Sequence, residues 1–208
     1  MPLVIPTAPA QSIDALRSVV PSMVQGPLLA KIAPRTAAAL AQGDVAKSVA
    51  PTQSYRLYTL GLSDLAGAAD NRLRTANLAG WRHVLSINGE TVSADVSVDS
   101  TGVNHRFASL RAEPSAADVQ SQIAALAHDP ALATSAFEVS LLQIPALGVK
   151  AIWLHAASGQ ANDILVPIAP VRSELVAGRR YGLAEFVQAL KDPAARILVD
   201  DDPRKGSG

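Results

Sequence analysis

Residues 81–98 read WRHVLSINGETVSADVSV, and their pattern decides the fold. Trp81, Leu85, Ile87, Val92, Ala94, Val96 and Val98 alternate with Arg82, Ser86, Thr91, Ser93, Asp95 and Ser97. Between the two runs stands Asn88-Gly89, which supplies the positive φ angles of a two-residue type I′ turn. Folding about that turn sets Ile87 opposite Glu90, Leu85 opposite Val92, His83 opposite Ala94 and Trp81 opposite Val96. The expectation is an antiparallel ribbon with one buried side and one solvated side.

Working outward, Thr101-Gly102 turns the chain again, and residues 105–111 return as a third strand. A two-residue turn there sets Val98 opposite His105 and Val96 opposite Phe107. Trp81, Val96 and Phe107 then form one row, in which each cross-strand pair contributes about 0.2–1 kcal/mol. Upstream, Tyr55, Leu57 and Thr59 suit a strand. Ser63 then opens a helix expected to run to about Ala79 and to stop at Gly80.

Downstream, Ser115 and Asp118 resemble a capping box, and Val119, Ile123 and Leu126 form a helical stripe that ends at Asp129-Pro130. Residues 137–144, 149–156 and 164–168 read as strands. Ser158-Gly159 and Asn162-Asp163 provide the turn between the last two. Their mixed apolar pattern suits strands covered on both faces, and Pro167 marks a free edge. Leu183, Phe186, Val187 and Leu190 form a helix expected to end at Asp192-Pro193, with residues 197–199 as a short strand.

The order predicts an α+β protein whose antiparallel sheet or sheets comprise two helix-plus-three-strand units, with helices on one face. Residues 53–199 form this core. Residues 1–52 are an Ala/Pro-rich helical arm without aromatics, and residues 200–208 an exposed tail. In the arm, Ser12 is expected to cap a helix through Leu16 and Val20 that ends at Pro21, with a second helical region over 28–40. Loss of the arm is expected to leave the core folded.

Composition narrows the function. Eighteen Lys and Arg balance eighteen Asp and Glu, so nothing draws the whole chain toward nucleic acid or an anionic membrane. Arg172, Arg179 and Arg180, and Arg204-Lys205, read as solvated surface. There is no cysteine, which removes thiolate chemistry and fits a reducing cytosol. The start lacks the pattern of a signal peptide, and no run reaches the roughly 18 apolar residues of a membrane span. A cytoplasmic location and a bacterial composition are the expectations.

No GxxxxGK[ST], GxGxxG or HExxH occurs, so no cofactor, metal or catalytic residue is assigned. His83 and His105 share a face but stand four residues apart along a strand, about 13 Å, too far for one metal. His128 suits a helix C-terminus. His155, Ser158 and Asp163 surround one turn and are the nearest approach to a hydrolase set, but no rigid nucleophile elbow accompanies them. Asp95 and Asp99 are expected in solvent, as is the acidic run 200–202.

Two further sets remain. Trp81, His83 and Phe107 are the candidates to line a small-molecule pocket. Trp153 and Tyr181 are the candidates for an exposed anchor pair that meets a protein partner; core packing against Phe186 explains them as well. The leading expectation is a non-catalytic protein-binding or assembly module. A ligand or enzymatic pocket is the alternative, and a serine hydrolase around His155 the weaker one.

Overall fold

The computed structural model describes residues 3–24, 50–66, 73, 76–87, 90–111, 114–156, 163–171 and 174–200. The protein is α+β. Among the described residues it has eight strands, mostly antiparallel, and four helices. The chain divides into two compact units. The meander unit comprises Ile5–Leu57 and Leu78–Ser121; the terminal unit comprises Met1–Val4, Tyr58–Asn77 and Gln122–Gly208.

The meander unit holds α1 (Ala10–Val24) and the strands β1 (Pro51–Thr59), β2 (Asn77–Ile87), β3 (Glu90–Val98) and β4 (His105–Arg111) in the order β4-β3-β2-β1. The register is the one that the alternation predicts. Ile87 pairs with Glu90, Leu85 with Val92, His83 with Ala94 and Trp81 with Val96. The Asn88-Gly89 turn itself lies outside the described residues. Val98 pairs with His105 and Val96 with Phe107, also as expected. Asp95, however, faces Ser109, so Ala108 is an extra residue in a β-bulge.

The loop between β3 and β4 is organised by a carboxylate as well as by its glycine. Asp99 Oδ1 accepts from the backbone N–H groups of Thr101 and Val103 and from the Thr101 hydroxyl. Asn104 Nδ2 donates to Asp99 Oδ2. These donors, the Thr101 hydroxyl first, hold the Asp99 carboxyl well below the usual range.

Helix α1 packs on β3 and β4. Leu16 and Val20 join Leu85, Val92, Ala94, Val96 and Leu110 in one core. Ser12 is inside the first turn rather than at the cap, and the helix runs through Pro21 to Val24. A proline removes one backbone donor without ending the helix here, where the turns before it are anchored by Leu16 and Val20. Leu16 and Val20 are fully buried, so removal of residues 1–52 is expected to expose this core.

The other side of the ribbon departs from expectation. Arg82, Val84, Ser93 and Asp95 are buried, not solvated. Arg82 and Asp95 are cross-strand partners and satisfy each other, so that side can be covered. Gly80 ends no helix. Helix α2 is Leu62–Ala66, and β2 already begins at Asn77. Gly80 has φ 152° and lies against β3, where an added Cβ would stand 1.9 Å from the Val96 carbonyl oxygen. Its role is close strand approach.

Helix α3 (Pro114–Ala127) carries the expected stripe, with Val119, Ile123 and Leu126 buried. The Ser115 side chain lies outside the described residues.

The terminal unit orders the end of β1, then β5 (Phe137–Ile144), β6 (Val149–Ala156), β7 (Ile164–Pro167) and the two-residue β8 (Tyr181–Gly182). Val4 joins β5 by a parallel bridge, with its N–H 2.8 Å from the Phe137 carbonyl oxygen. The strands β5 and β6 pair from Phe137 opposite Ala156 to Ile144 opposite Val149. A 3-10 turn over Pro145–Leu147 joins them, with Gly148 at φ 61°. Both faces of this pair are buried, as the apolar runs predict. The short strand β8, unexpected from sequence, pairs only with Ile164 and Leu165 and leaves Pro167 beyond its reach. Gly178 N–H still donates to the Pro167 carbonyl oxygen.

Helix α4 (Leu183–Asp200) contains Pro193 instead of ending there, and residues 197–199 are helical rather than a strand. Ala194 is fully buried and Ile197 packs on the same core, so burial beyond the proline outweighs its helix-breaking cost. Helices α2 and α4 pack on each other, and Leu65, Phe186 and Leu190 meet Leu142, Trp153 and Leu165 of the strands. The expected second helical region over 28–40 and the tail 201–208 lie outside the described residues. No helix among the described residues is long and apolar enough to cross a membrane.

Candidate functional site

The alternation that builds β2 puts His83 on the side that α1 covers, where it is fully buried. Ser12 Oγ of α1 lies 2.8 Å from its Nε2, and Ser54 Oγ of β1 lies 2.9 Å from its Nδ1. A neutral imidazole has one donor and one acceptor, so one serine accepts from it and the other donates to it. Burial lowers the His83 pKa to about 4, against the opposing pull of the Asp95 carboxylate and with a smaller push from His105. The side chain is a polar tie between α1, β1 and β2. Pattern reasoning placed His83 on the covered face; Ser12 and Ser54 were out of its reach because their partner is 71 and 29 residues away.

The consequence is measurable. The unfolded His83 titrates near 6.5 and the folded one near 4, so between these values the unfolded chain binds the extra proton. Stability therefore falls as pH drops from about 6.5 to about 4, by about 3 kcal/mol for this group, and levels off below. Urea unfolding at a series of pH values should show a slope that His83→Leu flattens. Equal slopes in the two proteins would contradict the buried neutral imidazole.

Trp81 is buried, with the Arg56 guanidinium 5.8 Å from its ring centroid, and Phe107 packs half-buried against the α1 core. These three residues share a face, as expected, and the structure employs them in packing.

In the terminal unit Trp153 and Tyr181 are 2 % and 3 % exposed. That burial takes away the exposure on which an anchor pair depends. Trp153 meets Tyr58 edge-on at 5.2 Å and lies 3.9 Å from the His155 ring. Tyr181 meets Phe186 at 6.3 Å, and its hydroxyl oxygen accepts from the Val176 N–H at 2.9 Å. Asp163 accepts from the Trp153 indole N–H at 3.2 Å and the Ala156 N–H at 3.1 Å, and stands 4.0 Å from His155 Nδ1. It serves the indole and the backbone at hydrogen-bond distance, and His155 only at ion-pair distance. Ser158 lies outside the described residues.

The remaining candidates are structural. His128 Nδ1 lies 2.8 Å from the Ala124 carbonyl oxygen at the end of α3, the capping role its position predicts. His105 Nδ1 lies 3.0 Å from the Val103 carbonyl oxygen. His83 and His105 occupy the separate rows that exclude a shared metal. Among the described residues no group of three or more His, Asp or Glu could hold a metal ion. Arg179 lies over the Tyr181 ring and pairs with Glu185, so it is not a bare phosphate contact. Arg172, Arg204 and Lys205 lie outside the described residues.

A cleft of about 180 Å³ opens between α3, β7 and the turn before β8. Leu126 and Val166 floor it, Gln122 and Ala125 form one wall, and Arg180 and Asp129 form the rim. Arg180 Nη1 donates to Asp129 Oδ2 at 2.7 Å, while Asp129 Oδ1 accepts from the Ala131 N–H. The sequence presents Arg180 as solvated surface and Asp129 as a helix end, and 51 residues separate the two. Comparison with protein families, curated proteins and solved structures returns no match for this chain.

Proposed function

We propose that the chain works by binding rather than by catalysis, as a cytosolic protein-interaction or assembly module built of two helix-plus-three-strand units behind an N-terminal arm. The observation that supports this reading is His83. The most deeply placed imidazole, the natural general base of a sheet-lined pocket, spends both ring nitrogens on serines of its own fold. Asp95 is likewise spent on Arg82, and Asp163 on the Trp153 indole. Groups committed in this way organise the interior. The inner face of α1 is taken by its own sheet, so association uses other surfaces.

Sedimentation of the intact chain from low to high micromolar concentration tests the assembly reading, with mass expected to rise toward a defined oligomer. Assay of generic esters, expected to show no turnover, tests the hydrolase reading in parallel. A monomer at every concentration would remove self-assembly. Ester turnover that His155→Ala abolishes would replace binding with catalysis.

A further inference from the structure

We infer that the cleft between α3, β7 and the β8 turn is a binding site for a small aliphatic α-amino acid in its zwitterionic form. The inference stands apart from protein binding and rests on the walls of the cleft. Its rim is a dipolar pair. The Asp129 carboxylate is fixed by the Ala131 N–H and turns its second oxygen to Arg180. The bond to Asp129 is the one hydrogen bond Arg180 makes among the described residues. A guanidinium has five donors, so four remain for a ligand.

The sign of the ligand follows from the rim. A simple anion must compete with Asp129 for Arg180, and a simple cation must compete with Arg180 for Asp129. A zwitterion gives each of the two protein charges an opposite partner, and its carboxylate can take the planar fork of Arg180. The rim side chains are partly exposed, at 43 % and 26 %. Ligand charges therefore enter without the large desolvation cost of a deep site.

Size and polarity follow from the interior. The cleft holds about 180 Å³, a little more than the roughly 150 Å³ cavity that admits benzene. An aliphatic chain of the valine or leucine class fits within that volume, and an indole is the least well accommodated. Leu126 and Val166 give that chain an apolar floor. Gln122 Oε1 is buried with no hydrogen-bond partner. As a lining residue of the cleft, Gln122 thus holds an unused acceptor that suits an ammonium group.

Titration of the intact, uniformly ¹⁵N-labelled protein with L-leucine, followed by amide shifts, tests the site. Saturable shifts are expected at Ala125, Gly178 and Arg180. The analogues 4-methylpentanoate and 3-methylbutylamine each keep one charge and should bind at least tenfold more weakly, as should tryptophan. Arg180→Gln should weaken leucine binding at least tenfold. Ala125→Trp, at an exposed helix position, should block the cleft without touching either charge. The proposal is overturned if leucine gives no saturable shifts in these residues. It is equally overturned if either single-charge analogue matches leucine, or if Ala125→Trp, with its other amide shifts unchanged, binds as before.

Discussion

Replacing Gly80 by alanine should destabilise the meander unit by about 2–6 kcal/mol, from strain at its positive φ of about 1–3 kcal/mol and overpacking of about 1–3 kcal/mol. At φ 152° the new Cβ would lie 1.9 Å from the Val96 carbonyl oxygen and 2.8 Å from Ser97 Cα. Both obstacles are backbone of the paired strand, so no side-chain rotation relieves the contact. Either β2 and β3 separate locally or the chain changes conformation at residue 80. Gly102 provides the contrast. Its φ is 75°, but a Cβ there meets nothing within 4 Å, so Gly102→Ala should cost only about 1–2 kcal/mol of left-handed backbone strain. The two tryptophans, Trp81 and Trp153, fall in different units. Fluorine NMR of 5-fluorotryptophan-labelled protein in urea therefore reads each unit separately. Gly80→Ala should shift the Trp81 transition. Equal midpoints for the Gly80 and Gly102 variants would show that strand approach at residue 80 is not what selects glycine.

Arg82→Met should cost about 3–5 kcal/mol, as removal of one partner of a buried ion pair does. Arg82 Nε and Nη2 donate to the two Asp95 oxygens at 2.7 and 2.8 Å, with the side chains only 8 % and 12 % exposed. Without the guanidinium, Asp95 keeps a single long contact, the Ser109 hydroxyl at 3.4 Å. Asp95→Leu alone should also destabilise, since it takes both carboxylate oxygens from the buried Arg82 guanidinium. The double variant Arg82→Met with Asp95→Leu should recover most of the loss, because an apolar pair of similar bulk carries no desolvation cost. A double-mutant cycle in urea measures the coupling. Strictly additive losses would mean that the pair is solvated and the side of the ribbon open.

Strand existence and register were legible because they rest on short-range pattern. The period of two, with Asn88-Gly89 between the runs, sufficed to pair Trp81 with Val96 and Val98 with His105. The same pattern misled where polarity was equated with solvent. Arg82 and Asp95 look like surface residues in a list of side chains, yet their cross-strand positions make them partners. Local breakers misled at Pro21, Gly80 and Pro193. Helices run through both prolines, with Ala194 buried beyond the second, and Gly80 ends no helix but lets two strands approach closely. The β-bulge at Ala108 left no local signature, and β8 is too short to show a period.

By itself the chain determined that strands form, which residues share a face and that the class is α+β, because these depend on neighbours two to four positions apart. Tertiary structure alone decided that His83 would be tied to Ser12 and Ser54, that Trp153 and Tyr181 would be interior, and that Arg180 would meet Asp129 above an apolar floor. The physical reason is separation. Burial and hydrogen-bond partners are set by residues far along the sequence, and only folding brings those within the few ångströms over which such forces act.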